Sequence, residues 1–160
     1  MEKALLGAGC FWGVEQILRA MPGIVSTEVG YAGGKTVNPS YEEVCTGQTD
    51  HAEVVLIEFN PSVLTYEALL EIFFRLHDPT TLNRQHNDVG TQYRSVIFTY
   101  DQNQASSAYE TIKKLNETKI FKSPIVTQIL PVPLFYSAEA YHQDYLIKNP
   151  SGYMCHILRD

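Results

Sequence analysis

Apolar residues recur with two different spacings along this chain, and the change from one spacing to the other marks the first structural elements. The continuous apolar run over residues 4–8 predicts a short buried strand from Lys3 to Ala8. Directly after it, apolar positions return every three or four residues, which predicts a helix from Cys10 to Ala20. The sequence therefore passes from strand to helix at Cys10, which lies between Gly9 and the aromatic pair Phe11-Trp12.

The same alternation continues to the end of the chain. Further strands are predicted at Ile24–Tyr31, Ala52–Phe59, Tyr93–Tyr100 and Ile125–Leu130. Further helices are predicted to begin at Thr65 and at Asp101, and a short helix is predicted over Ala138–Leu146. Residues 32–47 and 78–92 are two long polar loops, and loops of that length are usually functional or disordered. Interleaved elements of this kind favour an α/β or α+β fold, with two layers and the helices mainly on one side of the sheet.

Length and charge limit the class of protein. A chain of 160 residues is long enough for one domain with a real core, so we expect a single domain over residues 1–160 with an irregular tail at 148–160. The formal net charge of −6 and the lack of a basic run argue against nucleic acid as a partner. No apolar segment approaches the roughly 20 residues that span a bilayer, which argues against a membrane. Residues 1–3 lead directly into the first strand without a secretory signal, so we expect a cytoplasmic protein.

The three cysteines are Cys10, Cys45 and Cys155. An odd, small number without a C-x-x-C pair argues against a structural disulfide framework and against a structural zinc site. Catalytic or redox chemistry is the better interpretation. A thiol at a helix start lies near unpaired N–H groups and a partial positive charge, which predicts a lowered pKa and a reactive thiolate at Cys10. The competing interpretation is that Cys10 is a small core residue on the apolar stripe of its helix.

The single tryptophan is predicted to lie beside this thiol rather than in the core. At helical spacing Trp12 aligns with Glu15, Gln16 and Arg19, on the polar side of the helix. An aromatic side chain in that position is more typical of a pocket wall than of a core.

One carboxyl group falls on an apolar strand face. Glu53 shares a face with Val55, Ile57 and Phe59. Removal from water raises the pKa of a carboxyl, and a neutral acid beside a thiolate is able to donate a proton. The competing interpretation is a glutamate at the strand end that faces water.

Other polar residues carry weaker local signals. Asp88 and Tyr93 belong to the second long loop, where they are candidates for hydrogen-bonding groups in a cleft, although Asn-Asp and Gly are also ordinary turn residues. Tyr41 lies in the first long loop, where an isolated tyrosine is usually a packing residue. The five histidines are scattered, and no local pattern resembles a cysteine hydrolase.

Taken together, these motifs resemble the A-type peptide methionine sulfoxide reductases over nearly the whole chain. The resemblance rests on Gly9-Cys10-Phe11-Trp12-Gly13, Gly30-Tyr31-Ala32-Gly33-Gly34, Asn38-Pro39-Ser40-Tyr41, His51-Ala52-Glu53, His77-Asp78-Pro79, Asn87-Asp88, Gly90-Thr91-Gln92-Tyr93-Arg94-Ser95, His142-Gln143-Asp144-Tyr145, Asn149-Pro150 and Gly152-Tyr153. Each motif alone is weak, and their common order and separation make the resemblance strong.

The resemblance implies an activity and a set of roles. The activity is reduction of methionine S-sulfoxide, in peptides and proteins and also as the free amino acid. Cys10 would be the nucleophile and Glu53 the acid that protonates the sulfoxide oxygen. Hydrogen bonds to that oxygen or to a neighbouring water would come from Tyr41, Asp88 and Tyr93. Phe11 and Trp12 would form the apolar pocket for the S-methyl group. The implied fold is a ferredoxin-like two-layer α/β plait with a mixed sheet and the catalytic cysteine at the start of the first helix.

The resemblance also implies how the enzyme is regenerated. Attack on the sulfoxide leaves Cys10 as a sulfenic acid, which condenses with a second thiol to a disulfide. Cys155 in the tail is the preferred resolving thiol and Cys45 the alternative. Thioredoxin or a similar dithiol would reduce the disulfide, without metal or organic cofactor, and we expect the protein to be a monomer.

This sequence departs from the family's pattern at two places, and two alternative functions compete with the reductase. Many relatives have a longer glycine-rich C-terminus with a further cysteine, and many have glycine where this chain has His86. The first alternative is a non-catalytic module that binds methionine-rich partners through Phe11 and Trp12. The second is a thiol peroxidase that uses Cys10, although a peroxide needs no methyl pocket.

Overall fold

A six-stranded mixed sheet is the central feature of the computed structural model, which describes residues 1–160. The eight strands are β1 (Glu2–Ala8), β2 (Ile24–Ala32), β3 (Ala52–Phe59), β4 (Arg84–Gln85), β5 (Asp88–Val89), β6 (Ser95–Thr99), β7 (Gln128–Pro131) and β8 (Phe135–Ser137). Six of them form one sheet in the order β7-β6-β1-β3-β2-β8, while β4 and β5 form a separate hairpin. Neighbours in the large sheet are antiparallel except β6 and β7, which are parallel.

Five helices connect these strands. They are α1 (Phe11–Arg19), α2 (Tyr41–Cys45), α3 (Tyr66–Leu76), α4 (Gln102–Thr118) and α5 (Tyr145–Lys148), and single 3-10 turns cover Thr91–Tyr93 and Ala140–His142. The predicted caps are present, because Thr65 Oγ1 accepts the N–H of Ala68 and Asp101 Oδ1 accepts the N–H of Gln104. No helix is long and apolar enough to cross a membrane.

The two faces of the sheet bury different amounts of apolar surface. The larger cluster lies between the sheet and the helices; from α1 it takes Phe11, Val14 and Leu18, and from α3 it takes Leu69, Leu70 and Phe73. The opposite face carries a smaller cluster that contains Leu5, Ala32, Ala52, Val54, Val96 and Phe98. The prediction of helices mainly on one side of the sheet is therefore confirmed. Glu53 shares its strand face with Val55 and Ile57 of the larger cluster, so its side chain points toward the helices.

The first long loop contains a helix that the sequence interpretation missed. Within the predicted loop 32–47, Ser40 caps α2 by accepting the N–H of Glu43, and the Glu43 carboxylate accepts the N–H of Ser40 in return. This is a capping box, and its S-x-x-E signature is present in the sequence. The helix matters because its first residue is Tyr41 and its last is Cys45.

The second long loop is also ordered. It forms the β4–β5 hairpin, in which Gln85 pairs with Asp88, and then the 3-10 turn that contains Tyr93. Tyr93 was predicted as the first residue of a strand, but the strand β6 begins two residues later at Ser95. The reason is the turn itself, because Tyr93 N–H bonds to the carbonyl of Gly90.

The last third of the chain is more broken than predicted. The strand expected at Ile125–Leu130 is β7, which begins only at Gln128. The helix expected over Ala138–Leu146 is instead a 3-10 turn followed by α5, because Asp144 adopts a left-handed φ of 54° between them. Beyond Lys148 the tail has no helix or strand, as expected, but it is attached to α3 by hydrogen bonds in which Arg159 and Arg75 each take part.

Candidate active site

Cys10 lies at the junction of β1 and α1, as the change of period predicted. It immediately precedes the first helical residue and is 8% exposed. Gly9 before it has a φ of 92°, and a Cβ at Gly9 would come within 2.8 Å of the Gln85 side chain. Only glycine therefore allows the strand to turn into the helix at this point while the β4–β5 hairpin packs against it.

The protonation state of Cys10 differs from the sequence prediction. Burial raises the pKa of the Cys10 thiol far above its usual range, and the nearby charge of Glu53 raises it further. The backbone hydrogen bond from Trp12 lowers the pKa by less than burial raises it. The predicted activation by the helix start is thus wrong for the free protein, in which Cys10 holds its proton.

Glu53 lies directly beneath this helix start. Its Oε1 accepts the N–H of Phe11 at 3.1 Å, and the residue is 1% exposed. Burial raises the pKa of Glu53 to about 8, the Phe11 N–H lowers it by less, and the charge of Asp88 raises it. The interpretation of Glu53 as a solvent-facing strand end is therefore wrong, and the carboxyl is largely neutral at pH 7.

Tyr41 and Tyr93 belong to separate segments that converge near this carboxyl. Tyr41 begins α2, where its N–H donates to Glu139 Oε2 at 2.9 Å. Burial raises the pKa of both phenols, and the charge of Glu53 raises each pKa further. The Tyr93 pKa also responds to the charges of Asp88 and Cys10, so these side chains share one electrostatic environment.

The β4–β5 hairpin brings Asp88 to the C-terminal tail. Both carboxylate oxygens of Asp88 lie 3.4 Å from the hydroxyl of Tyr153, and Oδ2 lies 3.6 Å from the sulfur of Cys155. Asp88 and Cys155 are coupled electrostatically to the Cys10 thiol, because each raises its pKa when ionised. Asp88 and the second thiol therefore lie near Cys10, with the Tyr153 phenol beside Asp88.

The aromatic pair after Cys10 takes two different positions. Phe11 is buried, with its ring 5.7 Å from that of Tyr31 and 5.3 Å from that of His142. Trp12 is half-buried and stacks on Tyr145 at 3.8 Å between ring centroids. Its indole N–H donates to Nδ1 of His142 at 2.9 Å. Trp12 is thus not one of the buried core residues, but it packs against the larger cluster, and His142 and Tyr145 fix the orientation of its ring.

The side of α1 that carries Trp12 is less exposed to solvent than predicted. Glu15 was assigned to the solvent side, but it is 1% exposed. Its carboxylate accepts the hydroxyl of Thr27 at 2.8 Å and the N–H of Asp144 at 2.9 Å. Glu15 is buried because the 138–148 segment covers this side of the helix, which a helical pattern alone does not reveal.

The two other cysteines lie on different sides of this site, and all three thiols are free. Cys155 is half-buried in the tail beside Asp88. Cys45 is exposed at the end of α2, where burial raises the pKa of its thiol and the neighbouring Tyr41 side chain lowers it in part. Cys155 contributes to the electrostatics of Cys10, whereas the main neighbours of Cys45 are Tyr41, Glu53, Glu42 and Glu139. No group of three or more His, Cys, Asp or Glu side chains has the arrangement of a metal site.

The sequence matches the family described as peptide methionine sulfoxide reductase over residues 2–160. This chain belongs to the peptide methionine sulfoxide reductase family. A relative in Methanothermobacter thermautotrophicus, named peptide methionine sulfoxide reductase MsrA, is 55% identical over 158 residues, which are 99% of this chain and 93% of the relative. Membership in this family supports the predicted reductase and neither of the two alternatives.

Solved structures of a yeast protein have the same mixed α/β fold. The reduced form of Mxr1 from Saccharomyces cerevisiae is 43% identical to this chain, with a TM-score of 0.93 over 99% of this chain and 92% of Mxr1. Mxr1 in complex with Trx2 is 28% identical over the aligned residues, with a TM-score of 0.67 over 99% of this chain and 90% of Mxr1.

In this family member, the His142-Gln143-Asp144-Tyr145 motif supports the site, although the sequence analysis assigned it no role. His142 and Tyr145 hold Trp12. Gln143 bonds to both the N–H and the carbonyl of Val29, and the Asp144 carboxylate pairs with Arg19. The signal in the sequence was the motif itself, which stands out in an otherwise irregular segment.

The histidines are not scattered surface residues in this family member. His51, His77, His142 and His156 are all buried, and each ring makes at least one hydrogen bond. The exception is His86, which is exposed at the tip of the β4–β5 hairpin. Its φ of 54° lies in the left-handed region that glycine adopts freely, so glycine at this position would make the same turn without strain.

Proposed function

We propose that this protein reduces methionine S-sulfoxide in peptides and proteins, and also as the free amino acid, with Cys10 as nucleophile and Glu53 as acid. The observation that carries the proposal is the hydrogen bond from Phe11 N–H to Glu53 Oε1. It ties a buried, largely neutral carboxyl to the residue that follows the thiol. A sulfoxide oxygen is a poor leaving group until it gains a proton, so the two groups are needed together.

The atoms balance without a cofactor. Cys10 sulfur attacks the sulfoxide sulfur while the Glu53 carboxyl gives its proton to the oxygen, and the thiol proton returns Glu53 to its neutral form. The sulfur–oxygen bond of the substrate breaks, and the sulfur–sulfur bond formed by the attack breaks in turn as the protonated oxygen forms a sulfur–oxygen bond at Cys10. The products are methionine and Cys10 sulfenic acid, so the substrate gains the two electrons that Cys10 loses. Since the thiol pKa is raised, the proton leaves only when the substrate sulfur accepts the attack.

Tyr41, Tyr93 and Asp88 are proposed to hydrogen-bond the sulfoxide oxygen or a water beside it. The raised pKa of each phenol supports this role, because a neutral hydroxyl is a donor at any physiological pH. Phe11 and Trp12 are proposed to hold the S-methyl group. Their supports, His142 and Tyr145, fix the indole plane before the substrate arrives.

Cys155 is proposed as the resolving thiol. Its place beside Asp88 and its electrostatic effect on Cys10 support it over Cys45. Its attack on the sulfenic acid forms a Cys10–Cys155 disulfide and releases water. Thioredoxin or a similar dithiol is then proposed as reductant, and the yeast relative in complex with Trx2 supports that partner.

The remaining proposals concern architecture and location. The strand order β6-β1-β3-β2, with α1 and α3 as crossovers on one face, supports a ferredoxin-like plait. One sheet that takes strands from residue 2 to residue 137 supports a single reductase domain with a tail at 148–160. We further propose a cytoplasmic monomer that binds neither nucleic acid nor membrane, in keeping with its acidic charge.

The decisive experiment compares the two epimers of a methionine sulfoxide peptide. With dithiothreitol as reductant, the wild-type protein is expected to turn over the S epimer, and Cys10→Ser is expected to abolish turnover. Activity on the R epimer alone, or undiminished activity in Cys10→Ser, would refute the proposal. Peroxide consumption at a comparable rate would instead favour the peroxidase alternative.

A further inference from the structure

We propose that His156 is the general base that activates Cys155 when the Cys10–Cys155 disulfide forms. This inference rests on the proposed function and adds a residue to its second half. The ring of His156 links the backbone beside Cys10 to the sulfur of Cys155, and the hydrogen bonds on its two nitrogens define its tautomer.

The tautomer follows from a partner that can only accept. His156 Nε2 lies 2.6 Å from the carbonyl oxygen of Ala8, so Nε2 carries the hydrogen. In a neutral imidazole the other nitrogen then has a free lone pair. That nitrogen, Nδ1, lies 3.4 Å from the Cys155 sulfur. The lone pair is therefore available to accept the thiol proton.

The position of the ring is fixed by close packing around Cys10. His156 is 3% exposed. A Cβ at Gly13, on the first turn of α1, would come within 2.5 Å of Nδ1, so only glycine leaves room for the ring. A Cβ at Gly9 would likewise lie 3.3 Å from Nε2. Gly9 and Gly13, which precede and follow Cys10 in the sequence, therefore leave room for the His156 imidazole, the proposed base for Cys155.

The neutral form of His156 is the form that the surroundings favour. Burial lowers the pKa of His156, and the charge of His86 lowers it further, while the Ala8 carbonyl and Asp88 raise it by less. The other titratable groups near the ring are His77 behind it and the Cys155 thiol in front of it. The base is therefore unprotonated at neutral pH.

Cys155 needs such a base because it is protonated at neutral pH. Burial raises the pKa of the Cys155 thiol to about 11, and the charge of Asp88 raises it further, although the neighbouring Tyr153 side chain lowers it in part. Without a base, only a small fraction of Cys155 would be thiolate near pH 7. Asp88 is the competing acceptor, with Oδ2 at 3.6 Å from the sulfur, but its oxygens also receive the Tyr153 hydroxyl.

The proposed step conserves atoms and electrons. His156 Nδ1 takes the proton of Cys155 as its sulfur attacks the sulfur of Cys10 sulfenic acid. The Cys10 sulfur–oxygen bond breaks, the sulfur–sulfur bond forms, and the leaving oxygen takes the proton back from Nδ1 as water. The Cys155 thiol supplies both electrons, so no outside oxidant or reductant takes part.

A single-turnover experiment without reductant separates the two halves of the reaction. One equivalent of the S-sulfoxide peptide is added to reduced full-length protein between pH 6.5 and 9, and methionine, disulfide and dimedone-trapped sulfenic acid are quantified with time. The test variant is His156→Gln, whose amide nitrogen retains a donor toward Ala8 but supplies no comparable base. Asp88→Asn tests the competing acceptor, and Arg159→Gln loosens the tail because it removes the side-chain bond from Arg159 to the carbonyl of Phe74 on α3.

For wild type we expect disulfide to follow methionine with a lag that does not change above pH 7. For His156→Gln we expect a lag about a hundredfold longer at pH 7 that shortens tenfold per pH unit, with sulfenic acid trapped meanwhile. Arg159→Gln is expected to lengthen the lag without making the lag depend on pH.

Three results would overturn the assignment. The first is a lag in His156→Gln equal to that of wild type. The second is a lag in His156→Gln that is lengthened by the same factor at every pH. The third is a lag that shortens steeply with rising pH in Asp88→Asn but not in His156→Gln. Failure of the proposed function would show differently, because wild-type protein would then form no methionine at all.

Discussion

Oε1 of Glu53 accepts the backbone N–H of Phe11, so the carboxyl on β3 is tied to the first residue of α1. The bond uses one of the N–H groups that every helix leaves unpaired at its start. It places a buried acid next to the helix start at Cys10. The same burial that keeps Glu53 protonated also keeps Cys10 protonated, so the free site holds two protons and no charge at this point.

Glu53→Gln is expected to lower kcat/KM for methionine S-sulfoxide by about 10²–10⁴, the usual contribution of a positioned general acid. Because the pKa of Glu53 is about 8, wild-type kcat/KM is also expected to fall about tenfold per unit above that pH. Steady-state rates from pH 6 to 10 test both statements. Glu58→Gln on the same strand is the matched control and should retain the wild-type rate and profile. A wild-type rate in Glu53→Gln would rule out the acid.

The same substitution is expected to stabilise the folded protein at alkaline pH. Glu53 titrates near 4.5 when unfolded and at about 8 when folded, so the folded state holds a proton that the unfolded state releases between these values. Wild type therefore loses stability as pH rises from 4.5 to 8, by an amount on the order of 5 kcal/mol. Gln retains the acceptor for Phe11 but does not titrate. Urea unfolding at pH 5 and 8.5 should show Glu53→Gln gaining relative to wild type; an equal offset at both values would contradict the linkage.

Cys155→Ser is expected to abolish turnover with thioredoxin as reductant, while Cys45→Ser retains it. The reason is position, because Cys155 acts on the Cys10 thiol electrostatically and Cys45 lies at the far end of α2. A disulfide map after one turnover checks the pairing directly. A Cys10–Cys45 bridge in wild type, or loss of turnover in Cys45→Ser, would assign the resolving role to the other thiol.

Local signals in the sequence predicted most of the long strands and helices, although α2 and the β4–β5 hairpin were missed, and they marked Cys10 and Glu53 as candidates. Cys10 at a change of period and Glu53 on an apolar face were both visible in spacing alone, and the structure brings them together. The protonation state of Cys10 was not visible, because it depends on how deeply the tail and the hairpin bury the thiol. The helix start was a local argument, and long-range burial outweighed it.

The parts that the sequence did not reveal are those held by partners distant along the chain. His156 touches Ala8 from 148 positions away, and Gln143 touches Val29 from 114 positions away. The tail around His156 has no period, and the helical pattern predicted over Ala138–Leu146 carries no information about a contact with β2, so spacing alone revealed neither contact. A shorter-range miss was α2, whose capping box was readable but was masked by the surrounding Gly, Asn and Pro residues.

A second pH dependence is expected from His77. This histidine is 1% exposed, and burial lowers its pKa to about 3, although its hydrogen bond to the Phe73 carbonyl raises it. In the unfolded chain His77 binds a proton near pH 6.5, whereas in the folded protein it binds that proton only near pH 3. The folded protein therefore loses stability as pH falls between these values. The full loss is on the order of 5 kcal/mol.

Urea unfolding of wild type, His77→Gln and the exposed control His86→Gln between pH 4 and 7.5 tests this prediction. His77→Gln loses the bonds to Phe73 and Ser95, so it starts less stable at pH 7.5. Its difference from wild type should shrink as pH falls, whereas His86→Gln should follow the wild-type curve. A constant difference across the range would mean that His77 does not titrate on unfolding.

His86→Gly is expected to stabilise the β4–β5 hairpin. His86 takes the first central position of a two-residue turn with a φ of 54°, where a side chain is strained and glycine is not. Relief of that strain outweighs the greater freedom of glycine in the unfolded chain, with a net gain of about 1 kcal/mol.

Asn87→Gly is the matched control, because Asn87 has no positive φ and glycine there only adds unfolded-state entropy. Thermal unfolding should move the two variants in opposite directions. Since Arg84 Nε bonds to the backbone carbonyl of residue 86 and not to the imidazole, Asp88 should stay in place and sulfoxide turnover should survive in His86→Gly. Equal shifts in both variants would mean that the turn carries no strain.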